Sequence, residues 1–327
     1  MSAKKNIILI TGCAGFIGYH LCKKLIEKNY NVIGIDNIND YYDIELKKDR
    51  LKELKYFKNN FKFKKTDISN YKILEKLFIK YKFKYVVNLA AQAGVRSSIK
   101  NPSSYVESNV VGFFNILDLS KTFKIKHLLF ASTSSVYGNN NNFPSKESYN
   151  TDQPLSFYAA TKKSNEVMAY SYSYIHKIPC TSLRFFTVYG PYGRPDMALF
   201  KFTNNIRKNK KIDVYNNGNH IRDFTYIDDV IKYILILIPK KPNGPIPYEV
   251  FNIGNSKPTK LMSFLKSIQK ALGKEAKIQY RELQTGDVHT THSSIVKLIK
   301  KTGYKPKISI HDGISKFINW HTKYYNK

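Results

Sequence analysis

The chain has 327 residues, enough for one large or two ordinary domains, and its 54 lysines and arginines against 24 acidic residues give a net charge of +30. Only seven of the basic residues are arginine, and the lysines are scattered along the chain, a pattern typical of background composition that disfavours nucleic-acid binding. The net positive charge can still attract an acidic small substrate. The chain has no run of 18 apolar residues and only three cysteines, without a Cys-x-x-Cys pair, and its histidines complete no metal-ligand set. Its first residues do not show the pattern of a signal peptide, so we expect a cytoplasmic protein that binds neither membrane nor metal.

The first predicted element is a buried strand, residues 7–10, which runs into three glycines at spacing Gly-x-x-Gly-x-x-Gly. Gly12, Gly15 and Gly18 are followed by an apolar helical pattern that begins at Phe16 and Ile17. A strand, a glycine turn and a helix N-terminus together form a seat for a pyrophosphate, because backbone N–H groups and the helix dipole face the anion. The stretch therefore predicts a dinucleotide site.

An acidic residue ends each of the next two predicted strands. Residues 31–35 end at Asp36, about where an acid holds the ribose 2′-hydroxyl of NAD and repels the 2′-phosphate of NADP. Residues 61–63 lead to Asp67. That residue either accepts a hydrogen bond from an adenine amino group or caps the helix predicted over residues 71–81, and the sequence leaves both interpretations open.

Three more strands are predicted, over residues 85–91, 126–131 and 180–186, separated by helices from Pro102 to about residue 123 and over residues 158–176. Ala90 and Ala91 are small enough for the backbone of their strand to approach a cofactor. Six strands that alternate with helices predict an α/β fold, a Rossmann-like doubly wound parallel sheet with helices on both faces.

The alternation weakens after Gly190. Asparagine- and proline-rich turns, an exposed linker at residues 239–245 and helices over residues 262–272 and 314–324 predict a smaller C-terminal substrate-binding cap. We expect an NAD-binding Rossmann domain in residues 1–186. Residues 187–327 are expected to be mainly the cap, with some segments returning to the first domain.

Tyr158 and Lys162 carry the expected chemistry. They are four residues apart, so they share one face of a helix. A nearby cation favours the phenolate, and the sequence therefore predicts a lowered tyrosine pKa and a usable base. Thr133, Ser134 and Ser135 follow the fifth strand, so their hydroxyls are expected at the same edge of the sheet.

With these motifs, the chain resembles the extended short-chain dehydrogenase/reductase family over nearly its whole length. Within that family it is most similar to the UDP-glucuronate 4-epimerases, and the stretches that carry this likeness are residues 34–43, 90–96 and 184–197. The resemblance implies bound NAD, Tyr158 as base, Lys162 as the partner that lowers its pKa and Thr133 as the hydroxyl that bonds the reacting oxygen. The NAD contacts that we take from the motifs and the resemblance are Gly12, Gly15, Phe16, Ile17, Gly18, Asp36, Asn37, Asp67, Ile68, Leu89, Ala90, Ala91, Asn109, Tyr158 and Lys162.

The same resemblance implies inversion at C4 of a UDP-sugar through a transient 4-keto sugar. Related dehydratases carry Asp-Glu after the threonine, whereas this chain has Ser134 and Ser135, which favours simple epimerisation. A 4-keto uronate is a β-keto acid that readily loses CO2, so the enzyme must restrain its carboxylate. Ser134, Ser135 and Thr187 are the implied hydroxyl donors.

For the nucleotide, the resemblance implies Arg222 as a diphosphate clamp, Arg194 as a second substrate contact and Asp287 as a partner of the uridine ribose. Arg96 is expected in a loop near the substrate. The alternative for each is a solvated surface charge. Asn88 stands where many relatives have histidine, and we attach no function to it.

Three alternatives remain open. The substrate could be UDP-glucose or UDP-N-acetylglucosamine, the enzyme could be another nucleotide-sugar modifier, or the protein could bind NAD or RNA without catalysis. The intact set of Thr133, Tyr158 and Lys162 disfavours the last. By family resemblance we also expect a homodimer through helices at about 103–123 and 157–176, and a role in making a uronic-acid-containing surface polysaccharide.

Overall fold

The computed structural model describes residues 7–57 and 59–326, in which helices and strands alternate through most of the chain. The strands are β1 (Ile7–Thr11), β2 (Asn31–Asp36), β3 (Phe61–Lys65), β4 (Tyr85–Asn88), β5 (His127–Thr133), β6 (Cys180–Phe185), β7 (Thr187–Tyr189), β8 (Lys211–Tyr215), β9 (Ile221–Tyr226), β10 (Tyr248–Ile253), β11 (Pro258–Lys260) and β12 (Lys277–Arg281). The helices are α1 (Phe16–Glu27), α2 (Ile44–Lys55), α3 (Tyr71–Tyr81), α4 (Val95–Lys100), α5 (Pro102–Tyr105), α6 (Gly112–Thr122), α7 (Phe157–His176), α8 (Ala198–Arg207), α9 (Ile227–Leu237), α10 (Leu261–Leu272), α11 (Val296–Thr302) and α12 (Ile310–Tyr325).

The central sheet is parallel and has the order β10-β6-β5-β4-β1-β2-β3. Successive side chains of a strand point to opposite faces, and β1 shows this clearly. Ile8 and Ile10 are buried among side chains of α1 and α9, whereas Leu9 is buried among side chains of α3 and α6. The doubly wound fold predicted from the sequence is confirmed.

The sheet has one strand more than the six that were predicted. The seventh, β10, pairs in parallel with β6 at the sheet edge, with Phe251 opposite Leu183. Its sequence mixes polar and apolar residues because its first half is only partly buried, so it lacks the continuous apolar run of a central strand. From the C-terminal half of the chain, this strand joins the central sheet, and α9 packs on α1.

The rest of the C-terminal half lies over the carboxyl ends of the strands. It contains a three-stranded sheet, β11-β9-β7, a two-stranded sheet, β12-β8, and helices α8, α10 and α12. Phe224 of β9 and Phe264 of α10 stack with their rings parallel and their centroids 4.0 Å apart. Their cluster is continuous with the core beneath the central sheet.

The long helix predicted from Pro102 is continuous but not α-helical throughout. Between α5 and α6 the backbone forms a π-helical segment, Val106–Val111, without a break in the helix path. Such insertions rotate the residues that follow and are often found at functional sites. Here the segment carries Asn109, which is buried.

Candidate active site

A cleft of about 970 Å³ opens between the carboxyl ends of the central strands and the C-terminal half. Of the residues predicted to bind cofactor or substrate or to act in catalysis, all but Asn109 line it: Gly12, Gly15, Phe16, Ile17, Gly18, Asp36, Asn37, Asp67, Ile68, Leu89, Ala90, Ala91, Arg96, Thr133, Ser134, Ser135, Tyr158, Lys162, Thr187, Arg194, Arg222 and Asp287. Ligands of open α/β sheets bind at this edge.

The glycine turn fits a pyrophosphate. Gly12 has a φ of +69°, and a Cβ there would lie 2.8 Å from the backbone nitrogen of Ala90, so the turn has no room for a side chain. Helix α1 begins after Gly15 without a side-chain cap. Its first N–H groups can therefore face an anion in the cleft.

Asp36 is fixed at the end of β2. Its two oxygens accept hydrogen bonds from the backbone nitrogens of Ala14, at 3.1 Å, and Ile38, at 2.8 Å. Burial raises the pKa of its carboxyl group, and the two N–H donors and the Lys47 cation oppose that rise. A carboxylate held in this way has further lone pairs for the hydroxyls of a ribose.

Asp67 does not cap the helix that follows it. The cap of α3 is Asn70, whose side chain accepts from the backbone nitrogen of Ile73. Asp67 instead accepts from Asn37 at 2.7 Å and from the backbone nitrogen and the hydroxyl of Ser69. Burial raises its pKa, but these hydrogen bonds dominate and hold the pKa below the usual range. Asp67 is therefore an ionised acceptor in the cleft wall at neutral pH.

Asn88, to which the sequence gave no role, fixes the floor of the cleft. It accepts a hydrogen bond from the Thr11 hydroxyl at 2.5 Å, and the same hydroxyl accepts from the backbone nitrogens of Leu89 and Ala90. Strand β4 ends at Asn88, three residues earlier than predicted, and the next two backbone nitrogens bond to the Thr11 side chain. The small residues after it cover the cofactor end of the cleft.

Asn109, predicted to contact the cofactor, does not line the cleft and supports its wall from behind. Its side chain accepts from the backbone nitrogen of Gln92 at 2.8 Å and donates to the carbonyl of the same residue and to the Thr161 hydroxyl. These bonds use both N–H donors of the amide and one lone pair of its oxygen. Gln92, which the sequence analysis did not single out, lines the cleft in its place.

Tyr158 and Thr133 both line the cleft, and the Thr133 hydroxyl is near enough to the phenol to influence its pKa. The predicted lowering of the phenol pKa is wrong for this structure. Burial raises the pKa of Tyr158, the charge of Arg194 and the Thr133 hydroxyl lower it, and Tyr41 raises it further. Sequence spacing could not show this result, because it depends on desolvation and on a residue 36 positions away.

Lys162 is itself perturbed. It is almost completely buried one turn after Tyr158, and burial lowers its pKa to about 8, against the opposing charge of Glu166. At neutral pH the Lys162 ammonium group is therefore charged although little water reaches it. A cation in that position can hold polar groups of a cofactor or substrate.

A buried ion pair beneath Lys162 was not found from the sequence. Both Glu166 oxygens accept from Arg184, at 2.9 and 2.7 Å, and one also accepts from the hydroxyls of Ser132 and Ser182. Although burial raises the pKa of Glu166, these contacts hold it low. The pair joins α7 to β5 and β6 directly under the catalytic candidates.

Arg194 lies on the opposite wall. Its guanidinium forms two hydrogen bonds to Asp196, Nε to Oδ1 at 3.0 Å and Nη2 to Oδ2 at 2.5 Å, and packs over the Tyr41 ring. It is therefore paired and partly buried, not a solvated surface charge. The loop before it is held by Arg50, fully buried in α2, which donates to the carbonyls of Tyr192 and Gly193 and also to Ala14 of the glycine turn.

Arg222 and Asp287 form an ion pair at the far end of the cleft, with Nη2 to Oδ1 at 3.2 Å. The guanidinium also donates to the backbone carbonyls of Ile221, Val288 and His289. Its remaining Nε–H is the donor most available to a ligand. Sequence reasoning did not show that this arginine anchors the loop that carries Asp287.

Arg96 lies on α4 and not in the loop that the sequence suggested. Its side chain reaches across to the C-terminal half, where the guanidinium lies 4.9 Å from the ring centroid of Tyr215. That cation–π contact spans the cleft between the two parts of the chain.

In residues 7–57 and 59–326, no group of three or more His, Cys, Asp or Glu side chains could hold a metal ion. No helix in that part of the chain is long and apolar enough to cross a membrane. Cys13, Cys22 and Cys180 are all free and buried.

Comparisons with known proteins agree with this geometry. The family described as GDP-mannose 4,6 dehydratase matches residues 9–317. The chain is 52% identical to Protein CapI of Staphylococcus aureus, over 98% of this chain and 99% of that protein, and 42% identical to a probable UDP-glucuronate 4-epimerase of Rhizobium meliloti, over 98% of both. The crystal structure of UDP-glucuronic acid 4-epimerase from Bacillus cereus with UDP-glucuronic acid and NAD is 33% identical, covers 98% of this chain and 100% of its own, and superposes with a TM-score of 0.90.

Proposed function

The chain belongs to the family described as GDP-mannose 4,6 dehydratase, and on that premise we propose that it is a UDP-glucuronate 4-epimerase. It converts UDP-glucuronate to UDP-galacturonate through a 4-keto sugar and uses NAD. The observation that carries this proposal is that Tyr158, Lys162 and Thr133 line one cleft, in which serines follow the threonine. The Rhizobium meliloti relative and the Bacillus cereus structure support the choice of substrate.

The cleft has the features that NAD needs. The Gly12 turn and the uncapped start of α1 would seat its pyrophosphate, and Asp36 would hold the adenosine ribose and disfavour a 2′-phosphate. When bound, NAD supplies a reversible acceptor for the hydride from C4 of the sugar. Because the sugar is first oxidised and then reduced, the reaction has no net redox change and the cofactor stays in place.

Tyr158 acts on the C4 hydroxyl proton. The phenolate removes it during oxidation of the sugar, and the phenol returns a proton when C4 is reduced from the other face. The Thr133 hydroxyl lies near the phenol, and we assign it to orient the reacting oxygen. Arg194 lowers the pKa of the base, while Lys162, cationic below about pH 8, holds cofactor and substrate polar groups.

Epimerisation without dehydration follows from the residues beside Thr133. Dehydration of the 4-keto sugar requires a further acid–base group, and Ser134 and Ser135 supply none at this position. Their hydroxyls, with that of Thr187 on the facing strand, suit the substrate carboxylate instead. Restraint of this carboxylate keeps it from the orientation in which the β-keto acid loses CO2.

At the nucleotide end, Arg222 is assigned to the diphosphate and Asp287 to the uridine ribose. Arg96 and Tyr215, which meet across the cleft, border the same region. We assign residues 1–186 with β10 and α9 to the NAD-binding part, and the rest of residues 187–327 to the UDP-sugar-binding cap.

A homodimer is part of the proposal. The outer faces of α6 and α7 expose a set of large apolar side chains, which are Phe114, Val167, Tyr170, Tyr174 and Ile175. Several large apolar side chains exposed on two neighbouring helices suit an interface with another protein. Pairing of the two helices with their copies would bury it. We further place the enzyme in the cytoplasm, before the transferases that build uronic-acid-containing polysaccharide.

A substrate panel tests the function. The purified protein is given UDP-glucuronate, UDP-glucose or UDP-N-acetylglucosamine, and each product is identified by proton NMR. Conversion of UDP-glucuronate to UDP-galacturonate at a kcat/KM at least tenfold above the neutral sugars is the expected result. Activity on the neutral sugars alone would move the assignment to a hexose epimerase, and no turnover with RNA retained at physiological salt would end the enzyme proposal.

A further inference from the structure

His220 is a buried histidine at the nucleotide end of the cleft that none of the assignments above uses. It directly precedes β9, its side chain is 5% exposed, and it lines the cleft. Within the described residues, neither ring nitrogen makes a hydrogen bond of standard length and angle, and the His289 carbonyl is the nearest backbone acceptor that acts on the ring. A buried polar group without a partner typically destabilises a fold, so an unpaired imidazole beside a binding cleft indicates a missing ligand atom.

The surroundings of His220 define what that ligand atom is. Nε2 lies 4.0 Å from Oδ2 of Asp287, and the ring also faces the Arg222 guanidinium, the His289 side chain and the His289 carbonyl. Burial and the charge of Arg222 lower the pKa of His220, against the opposing charge of Asp287. The imidazole is therefore neutral at neutral pH and offers one donor and one acceptor.

The distance between His220 Nε2 and Asp287 Oδ2 is one that a single bridging hydroxyl group would span. At 4.0 Å the two atoms are too far apart for a direct hydrogen bond. An oxygen about 2.8 Å from each would close the gap, accepting from the Nε2–H of His220 and donating to the carboxylate. The other oxygen of Asp287 is already used by Arg222 and by the backbone nitrogen of Val288, which leaves Oδ2 for this contact.

We propose that His220 and Asp287 together hold one hydroxyl of the uridine ribose, and that His220 is thus a substrate-binding residue. This inference rests on the proposed function, because it takes the nucleotide of the substrate as the occupant. A phosphate oxygen suits the gap less well, since it has no proton to donate to the carboxylate. The neighbouring Arg222 is the better partner for phosphate.

The test compares UDP with 2′-deoxy-UDP and 3′-deoxy-UDP as calorimetric ligands for the holoenzyme and for H220F and H220Q. In the wild type, one deoxy analogue should bind about three- to tenfold more weakly than UDP, the effect of one lost hydrogen bond. H220F should lose a similar factor for UDP and almost nothing for that same analogue. H220Q, which keeps an N–H donor, should recover part of the loss.

Two results would overturn the inference. One is a wild type that binds all three nucleotides equally, a result that needs no variant and stands even if H220F fails to fold. The other is an H220F protein with unchanged melting temperature and NAD content that loses the same factor for all three nucleotides, or for none. In both cases turnover of UDP-glucuronate would leave the proposed function intact, whereas a wild type that neither binds UDP nor turns over UDP-glucuronate would end both.

Discussion

Arg194 faces Tyr158 across the cleft, and its charge is the strongest influence that lowers the pKa of that phenol against the effect of burial. Two hydrogen bonds that the guanidinium donates to Asp196 fix it in this place. The acidity of the catalytic base therefore depends on the same residue that is assigned to the substrate. Any loss of Arg194 should change proton transfer as well as binding.

The first prediction follows from this relationship. Burial places the pKa of Tyr158 above its usual value, so the phenolate fraction and kcat should rise with pH across the neutral range. Arg194→Gln should move this rising limb to higher pH by about one unit, which is about a tenfold loss of kcat at pH 7.5. The measurement is kcat at saturating UDP-glucuronate from pH 6.5 to 9.5.

Arg194→Lys is the matched control, because it keeps the charge. The rising part of its kcat–pH profile should stay close to that of the wild type even if KM rises. A Gln variant whose KM rises while its pH profile is unmoved would mean that Arg194 binds substrate without tuning the base.

The second prediction concerns Lys162, whose pKa of about 8 lies below its usual value near 10.5 because of burial. Below pH 8 the folded protein must keep a buried cation that water solvates in the unfolded chain, so the group reduces stability there. The reduction is about 3 kcal/mol at most and shrinks as pH rises from about 8 to 10.5. Lys162→Met should therefore melt at a higher temperature than the wild type at pH 7 and lose activity.

The pH dependence provides the check on Lys162. The difference in melting temperature between Lys162→Met and the wild type should fall between pH 7 and pH 9.5. A Met variant that is less stable at pH 7, or a difference that grows with pH, would show that Lys162 stabilises the fold in its charged form.

The third prediction concerns the buried pair Glu166–Arg184. Glu166→Leu leaves the Arg184 charge buried without its partner and should reduce the free energy of unfolding by about 3–5 kcal/mol. The double variant Glu166→Leu/Arg184→Met removes both charges and should lose clearly less than the sum of the two single variants. Urea unfolding of the four proteins measures this coupling, and simple additivity would show that the pair contributes no interaction of its own.

The fourth prediction concerns restraint of the substrate carboxylate. Thr187→Ala should lower turnover of UDP-glucuronate and release some UDP-pentose, because a freer carboxylate can reach the orientation that favours loss of CO2 from the 4-keto intermediate. Thr187→Ser, which keeps the hydroxyl, should release much less. Mass spectrometry of the products decides the matter: unchanged kinetics with no pentose from Thr187→Ala would remove this residue from the assignment.

The fifth prediction tests the dimer. Val167 on α7 is 56% exposed, and Val167→Arg should convert the protein to a monomer if this face pairs with a second copy. Val296→Arg, on α11 and 73% exposed, is the same change on a helix outside the proposed interface and should leave the mass unchanged. Size-exclusion chromatography with light scattering gives the mass of each protein. A wild type that elutes as a monomer would contradict the proposal directly.

Much of the fold could be predicted because its central strands are buried on both faces. Strands β1 to β6 and helices α1, α3, α7 and α10 are within a few residues of prediction, since uniform apolar runs and helical periodicity mark them. Strand β10 was missed because an edge strand with a partly buried first half carries polar residues. The π-helical segment at Asn109 leaves no mark in the periodicity.

The site was less predictable where function depends on long-range contacts. The motifs located the residues that line the cleft, but Arg50 in a charged helix looks like a solvated residue until its carbonyl partners are seen. Glu166 and Arg184 are 18 positions apart, on α7 and β6, and they meet only because the helix packs on the sheet. The pKa of Tyr158 depends on burial, which a four-residue spacing to Lys162 cannot reveal.

The central claim is that C4 of UDP-glucuronate is oxidised and reduced again inside one closed cleft. The direct measurement uses UDP-glucuronate with deuterium at C4, dialysed enzyme, ordinary water and no added NAD. We predict UDP-galacturonate that keeps its deuterium at C4, because the hydride never leaves the site. Product in which C4 deuterium has exchanged for solvent hydrogen, or no product under these conditions, would contradict the account.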